Sequence, residues 1–188
     1  MNILTNVEKI TKKLPLYFSQ VSLTVCSAFI VLVLLDIKYG FFRQIPLRSA
    51  TGMGKMAGSL ALFVGGIACL YYILRETYLK AKRNKFVFHG EWENSLKKGI
   101  QIFRHIHPLL GILVFLLVLG HTYLLWYVAG KTDPRAIYSG LLALLALGLV
   151  TALGNYIVFK PQYLPMRKYH RMATGVLLAL VAIHLTIR

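Results

Sequence analysis

Five stretches of mostly apolar residues restrict what this chain can fold into. They cover about residues 14–35, 56–76, 104–130, 136–159 and 166–188. A helix needs roughly 20 apolar residues to cross the hydrocarbon core of a bilayer. Because a helix satisfies its own backbone hydrogen bonds, it is the form that such stretches take in lipid. We therefore predict an all-α membrane protein, with residues 1–188 forming a single domain, a bundle of about five transmembrane helices.

The charged residues lie mainly between the apolar stretches. The chain is 57% hydrophobic, and its 22 Lys and Arg far outnumber its 6 Asp and Glu. Basic clusters placed between apolar stretches indicate membrane topology and contact with anionic lipid rather than nucleic-acid binding. Of these basic residues, 15 fall on the side of the N-terminus and 7 on the opposite side. The positive-inside rule then predicts a cytoplasmic N-terminus and a C-terminus outside.

The connectors carry few residues suited to chemistry. The longest is expected between about residues 76 and 104, either as a solvated loop containing His89 or as a segment on the membrane surface. No internal repeat is evident. All six acidic residues fall at the ends of apolar stretches or in connectors, which disfavours a proton pump or a cation-coupled transporter. Cys26 and Cys69 belong to no C-x-x-C motif, which disfavours zinc, iron–sulfur clusters and c-type heme.

Four of the six histidines form a repeated spacing. His107 and His121 lie in the third apolar stretch, and His170 and His184 lie in the fifth. The spacing is 14 residues in both, which turns a helix by about 1400°, close to four full turns, and advances it by about 21 Å. Each helix therefore presents two histidines on one face, near opposite edges of the membrane.

The third and fifth helices are predicted to be parallel, because one helix separates them. His107 then shares a level with His170, and His121 shares a level with His184. Imidazole is a common axial ligand of heme iron. A lone histidine in a membrane helix can instead line a pore or relay protons, but the duplicated spacing favours ligands. We predict two noncovalently bound b-type hemes between helices three and five. Two histidines would bind the iron of each heme.

Further residues are placed to contact the two hemes. Three arginines lie about one helical turn from a histidine, toward water, where they can bind heme propionates, although membrane topology also accounts for those at the N-terminal side. Two glycines follow histidines by four or five residues, where a missing side chain admits a flat macrocycle or close helix packing. His105 falls off the ligand face. The predicted contacts are Arg104, Arg167, Arg188, Gly111 and Gly175.

The segments around these histidines resemble a known family. Residues 104–111 with His121, and residues 169–175 with His184, resemble the H-x-x-x-G…H heme helices of the ferric reductase-like transmembrane domain superfamily. Cytochrome b561-like proteins use similar histidine pairs. The resemblance covers about residues 104–188 and implies that the third and fifth helices bind two hemes. Family members commonly add a sixth helix and a flavin and nicotinamide domain. Neither is recognised here, which implies a separate electron donor.

The pattern predicts a transmembrane electron conduit, an oxidoreductase component without a catalytic site of its own. Electrons would enter from a cytoplasmic flavoprotein or quinol and leave to an acceptor protein, a metal ion or oxygen outside. The alternative is a quinol-oxidising or quinone-reducing subunit of a larger respiratory complex, with a quinone near Tyr123, Trp126 or Asn155, although aromatic residues at the membrane interface are common. A second alternative is a heme-free structural or transport subunit.

Overall fold

The structure, a computed structural model, is mostly helical in the residues that it describes. These are residues 24, 27–28, 31–32, 34–36, 38–40, 45–84, 90–126, 133–160, 162 and 164–187. Within them, helix is the only regular secondary structure. The four complete helices are α1, Leu47–Arg83, α2, Gly90–Trp126, α3, Pro134–Phe159, and α4, Leu164–Thr186.

Three helical segments among the described residues are long and apolar enough to cross a membrane. They are Leu47–Arg83, Ile106–Trp126 and Pro134–Phe159, as expected for an integral membrane protein. Helix α4, predicted as a span at about 166–188, is not among them. Its first two turns carry Arg167, Lys168 and Arg171, and its apolar part is interrupted by His184. These polar side chains lower the hydropathy of a helix of only 23 residues.

The first predicted span, at about 14–35, lies largely outside the described residues. Every described residue from 24 to 39 is helical. This segment ends at Gly40, which has a φ of 65° and donates its N–H to the carbonyl oxygen of Asp36 at 2.7 Å. Glycine suits this position because other residues rarely adopt a left-handed conformation. The count of five spans stays a prediction.

The long connector expected between residues 76 and 104 is instead mostly helical. Helix α1 continues to Arg83 and α2 begins at Gly90, while His89 lies outside the described residues. The two extensions contain no proline and are rich in good helix formers such as Leu, Lys, Glu and Ala. A hydrogen bond from the Tyr78 hydroxyl to Glu93 Oε1, 3.1 Å long, joins them. Lys97 forms an ion pair with the same carboxylate at 2.7 Å.

The helices form two antiparallel hairpins, α1–α2 and α3–α4, with a smaller contact between α2 and α3. Small side chains occupy most buried positions, and large apolar side chains such as Phe63 and Leu145 point outward. This distribution suits a bundle in lipid, where small residues let helices approach and large ones meet acyl chains. In the part of the chain that the structure describes, the buried apolar residues are Ala50, Ala61, Ala68, Ile112, Ala143 and Leu147.

Helix α2 extends farther beyond its histidines than α4 does. Seventeen residues of α2 precede His107, whereas six residues of α4 precede His170. At about 1.5 Å per residue, the α1–α2 hairpin therefore projects roughly 16 Å beyond α4. Helix α3 begins at the opposite end of the bundle. There Asp133 accepts a hydrogen bond from the Arg135 N–H at 2.9 Å, and Pro134 fits the first helical position.

Candidate metal centre

The structure places the four histidines of the repeated spacing in two pairs between α2 and α4. The ring centroids of His107 and His170 are 6.3 Å apart, and their planes meet at 86°. The centroids of His121 and His184 are 6.4 Å apart, and their planes meet at 85°. We call the first the basic-end pair, after the lysines and arginines nearby, and the second the far-end pair. The two pairs have almost the same geometry.

Backbone carbonyls orient both rings of the basic-end pair. The Nδ1 atom of His107 lies 3.1 Å from the carbonyl oxygen of Ala68 on α1. The Nδ1 atom of His170 lies 3.0 Å from the carbonyl oxygen of Val150 on α3. A carbonyl oxygen only accepts hydrogen bonds, so each Nδ1 must carry the proton. The Nε2 atoms of both neutral imidazoles then keep their lone pairs for a metal ion.

One backbone carbonyl and one hydroxyl orient the far-end pair. The Nδ1 atom of His121 donates to the carbonyl oxygen of Gly54 on α1 at 2.8 Å. The Nδ1 atom of His184 lies 2.9 Å from the hydroxyl oxygen of Ser139 on α3. That hydroxyl donates its own hydrogen to the carbonyl oxygen of Ala136 at 3.0 Å. Its oxygen therefore accepts from His184, whose Nε2 also keeps its lone pair.

The acceptors on α1 and α3 repeat the spacing of the histidines. Gly54 and Ala68 are 14 residues apart on α1, and Ala136 and Val150 are 14 residues apart on α3. The Ala136 carbonyl is linked to His184 through the Ser139 hydroxyl, whereas the other three carbonyls accept from a histidine directly. Each hairpin therefore matches two carbonyls to two histidines in antiparallel register, directly in three cases and through Ser139 in the fourth. This structural repeat was missed in the sequence, because it joins residues of different types.

Three glycines on the neighbouring helices lie against imidazole rings. A Cβ added to Gly58 on α1 would lie 2.7 Å from Nδ1 of His121, closer than real Cβ contacts allow. A Cβ added to Gly140 or Gly154 on α3 would lie 3.1 Å from Cε1 of His184 or 3.2 Å from Cε1 of His170. Sequence reasoning missed these three glycines. Gly58 and Gly154 each lie four residues after the carbonyl that accepts from a histidine, and Gly140 directly follows Ser139. This relationship is visible only once the register of the helices is known.

The spacing within each pair fits two imidazoles on one iron. A metal–nitrogen bond of about 2.0 Å, with about 1.1 Å from the ring centre to its nitrogen, puts two ring centroids about 6.2 Å apart. The observed separations are 6.3 and 6.4 Å. Among the described residues, no group of three or more His, Cys, Asp or Glu is placed to hold a metal ion. Heme iron needs only two protein ligands, because the porphyrin supplies the other four nitrogens.

The structure describes four of the five other residues predicted to contact heme. Arg104 and Arg167 are exposed, each three residues before a histidine of the basic-end pair. A Cβ added to Gly111 or Gly175 would meet no other atom within 4 Å, so both glycines border open space. Arg188 lies outside the described residues, and so does Cys26. Cys69 is a free, partly buried thiol.

Two tyrosines also contact groups near the histidine pairs. The ring centroid of Tyr71 lies 5.5 Å from that of His107, with the planes tilted by 43°. The Tyr123 hydroxyl donates a hydrogen bond to Asp36, a carboxylate that is 7% exposed. Sequence reasoning missed both contacts, since each joins residues far apart in the chain.

The residues considered for a quinone do not form one site. Tyr123 and Trp126 follow His121 at the far end of α2. Asn155 lies five residues after Val150, whose carbonyl bonds to His170, and so belongs to the basic end of α3.

No family model, curated protein or solved structure matches this chain. What distinguishes the chain is its own geometry: two similar histidine pairs, stacked along one bundle, with Nδ1 hydrogen-bonded on all four rings.

Proposed function

We propose that this chain is a di-heme membrane cytochrome that carries electrons across a bilayer. The observation that supports the proposal is the duplicated pair geometry, with ring centroids 6.3 and 6.4 Å apart. Histidines that line a pore or relay protons need not lie at the separation of two ligands on one metal ion, and here that separation occurs twice. The resemblance to the ferric reductase-like superfamily agrees with this function but rests on the sequence alone.

The residues of the chain would hold and tune the cofactor. When bound, heme supplies a one-electron redox couple. Two histidines would bind each iron, and a heme held by two histidines suits electron transfer rather than oxygen binding. The Nδ1 hydrogen bonds fix the orientation of the rings and raise their basicity, as acceptors around metal ligands generally do. Arg104 and Arg167 would neutralise propionates at the basic end.

The two sites would span most of the hydrocarbon core. His107 is the second residue of the apolar segment Ile106–Trp126, and His121 lies five residues before its end. Their levels are about 21 Å apart along the helix. Electrons would therefore enter at the edge of the membrane, pass between the sites and leave near the opposite edge.

The donor would approach the basic end, which the positive-inside rule assigns to the cytoplasm. At this end the α1–α2 hairpin extends beyond α4, whose Arg167 and Lys168 are exposed, and Trp92 near the start of α2 is 80% exposed. Its basic side chains would attract an acidic flavoprotein and steer its approach. A quinol is the alternative donor, and an acceptor protein or ion would meet the far end.

Heme content is the first test. Purified protein should contain two noncovalently bound b hemes per chain by pyridine hemochrome analysis. A content of one heme, or a c-type spectrum, would contradict the pairing of the histidines. Protein that folds and expresses normally but takes up no heme would favour the structural or transport alternative.

Electron transfer across liposomes is the second test. With the basic side facing outward, an impermeant reductant outside should reduce an oxidant trapped inside, and protein-free liposomes should not. NADH or NADPH alone should reduce neither site, because the proposed donor is separate. Rapid heme reduction by a nicotinamide without any flavoprotein or quinone would contradict the conduit.

A further inference from the structure

One of the four orienting hydrogen bonds differs in kind from the others. His107, His121 and His170 donate to backbone carbonyls, whereas His184 donates to the hydroxyl of Ser139. The far-end pair therefore has one carbonyl acceptor and one hydroxyl acceptor, and the basic-end pair has two carbonyls. Ser139 is also the only acceptor of the four that a side-chain substitution removes directly.

Ser139 makes one contact more than its hydroxyl requires within its own helix. Serine in a membrane helix commonly satisfies its hydroxyl by bonding to a carbonyl one turn earlier, and Ser139 does so with Ala136 at 3.0 Å. That bond alone would satisfy the side chain. The contact with His184 is additional, and it is buried, because Ser139 is 8% exposed. The adjacent Gly140 leaves space for the ring of His184.

The kind of acceptor changes how strongly an imidazole donates electrons to a metal. A strong acceptor at Nδ1 increases the basicity of the ring and favours the ferric form, which lowers the reduction potential. A hydroxyl oxygen is a weaker acceptor than an amide carbonyl. The hydroxyl of Ser139 becomes a stronger acceptor because it donates its own hydrogen to Ala136. It still accepts less strongly than a carbonyl oxygen.

We propose that Ser139 is a positioning residue that gives the far-end site the higher reduction potential of the two. This inference rests on the proposed heme binding and deepens it. An electron moving from the basic end to the far end then moves toward the more oxidising iron. The hydroxyl also keeps the proton on Nδ1 of His184, so that Nε2 remains the ligand atom.

The experiment is a potentiometric titration of the intact, heme-loaded protein. Wild type should show two resolved potentials, the higher of which belongs to the far-end site, assigned by its absence in His184→Ala. In Ser139→Ala the potential of the far-end site should rise further. At a fixed solution potential its ratio of reduced to oxidised form should increase roughly 3- to 10-fold, the range expected for the loss of one hydrogen bond.

Two variants test the hydroxyl itself. Ser139→Cys, with a weaker acceptor of similar size, should fall between wild type and Ser139→Ala. Ser139→Thr retains the hydroxyl and should stay close to wild type. The matched control is Thr151→Val, which removes a hydroxyl on the same helix that bonds only to the Leu147 carbonyl among the contacts observed. It should leave the far-end potential unchanged.

The outcomes separate this inference from the proposed function. Absence of heme from wild type would contradict both. Two bound hemes with the far-end potential below the basic-end potential, or an equal shift of both potentials in Ser139→Ala, would contradict only the role of Ser139. Loss of the far-end heme from Ser139→Ala, with retention in Ser139→Thr, would support the positioning role. Loss from both would overturn it, because the hydroxyl would not be the cause.

Discussion

The ring planes of His107 and His170 stand at 86° to each other, and the far-end pair repeats this arrangement at 85°. Two perpendicular imidazoles donate into different iron d orbitals and leave those orbitals close in energy. We therefore expect highly anisotropic low-spin ferric signals from both sites by electron paramagnetic resonance, with the largest g value well above that of parallel bis-imidazole centres. Ordinary rhombic signals from both sites would show that the rings do not keep these orientations.

Removing one ligand should affect one site more than the other. His184→Ala should chiefly lose the far-end heme, and His170→Ala the basic-end heme, because the other site, about 21 Å away, keeps both ligands. Heme content and the visible spectrum measure the result.

The matched control for the ligand variants is His105→Ala, two residues from His107 on the same helix. It should retain both hemes. Retention of two bis-histidine centres in His184→Ala would show that His184 is not a ligand. Loss of both hemes from every variant, together with loss of helical structure, would indicate unfolding instead of selective emptying.

Filling the space beside His121 should disturb the far-end site selectively. In Gly58→Ala the new methyl group would lie 2.7 Å from Nδ1 of His121, so the ring must move away from the Gly54 carbonyl. Loss of such an orienting bond typically weakens metal binding about 10- to 100-fold. We expect the same range for far-end heme affinity, measured by titrating apoprotein with hemin.

Gly66→Ala is the control for this substitution. Gly66 lies on the same helix, but an added Cβ would meet no atom within 4 Å. The control should bind both hemes as wild type does, and its helix should gain up to about 1 kcal/mol from the replacement of glycine. Equal losses of heme in the two variants would refute the proposed contact.

The sequence indicates the spans and the histidines because both depend on local patterns. Apolar length predicts a membrane helix, and a 14-residue interval places His107 and His121 on one helix face whatever surrounds them. Gly58 and Ser139 were not predictable in this way. Their importance depends on the register of one helix against another, which arises from packing between residues distant in the chain.

The helical extensions of α1 and α2 into the connector were not predicted, for a different reason. Basic and aromatic residues between apolar stretches are compatible with a loop, a surface segment or a helix that continues into water. Helix propensity favours the last of these only weakly. The contact that holds the extensions together, from Tyr78 to Glu93, again joins two different helices.

The projecting ends of α1 and α2 should loosen at low pH. Hydrogen bonds from Lys97 and Tyr78 lower the pKa of the Glu93 carboxyl below its ordinary value of 4.5. A carboxyl with a lowered pKa stabilises the fold above its unfolded-state pKa, and that stabilisation is lost as the pH falls through the folded-state pKa. Amide protection factors in the extensions should therefore decrease between about pH 5 and pH 3, relative to those in the spans.

Glu93→Gln should weaken this pH dependence, because the amide does not titrate. Glu91→Gln, two residues earlier in the same turn, is the matched control and should keep it. The effect should be small, since ion pairs exposed to water contribute little to stability. Identical pH profiles for wild type and Glu93→Gln would exclude Glu93 as the source.

The hydrogen bonds that orient the four imidazoles each stay within one hairpin. Helix α1 holds both histidines of α2, and helix α3 holds both histidines of α4. Each half of the protein can thus prepare its ligands during membrane insertion, before it meets the other half. If heme binds as proposed, its binding between α2 and α4 would then join the two hairpins. Because binding to the assembled form alone stabilises it by mass action, heme supply would act as a checkpoint in biogenesis.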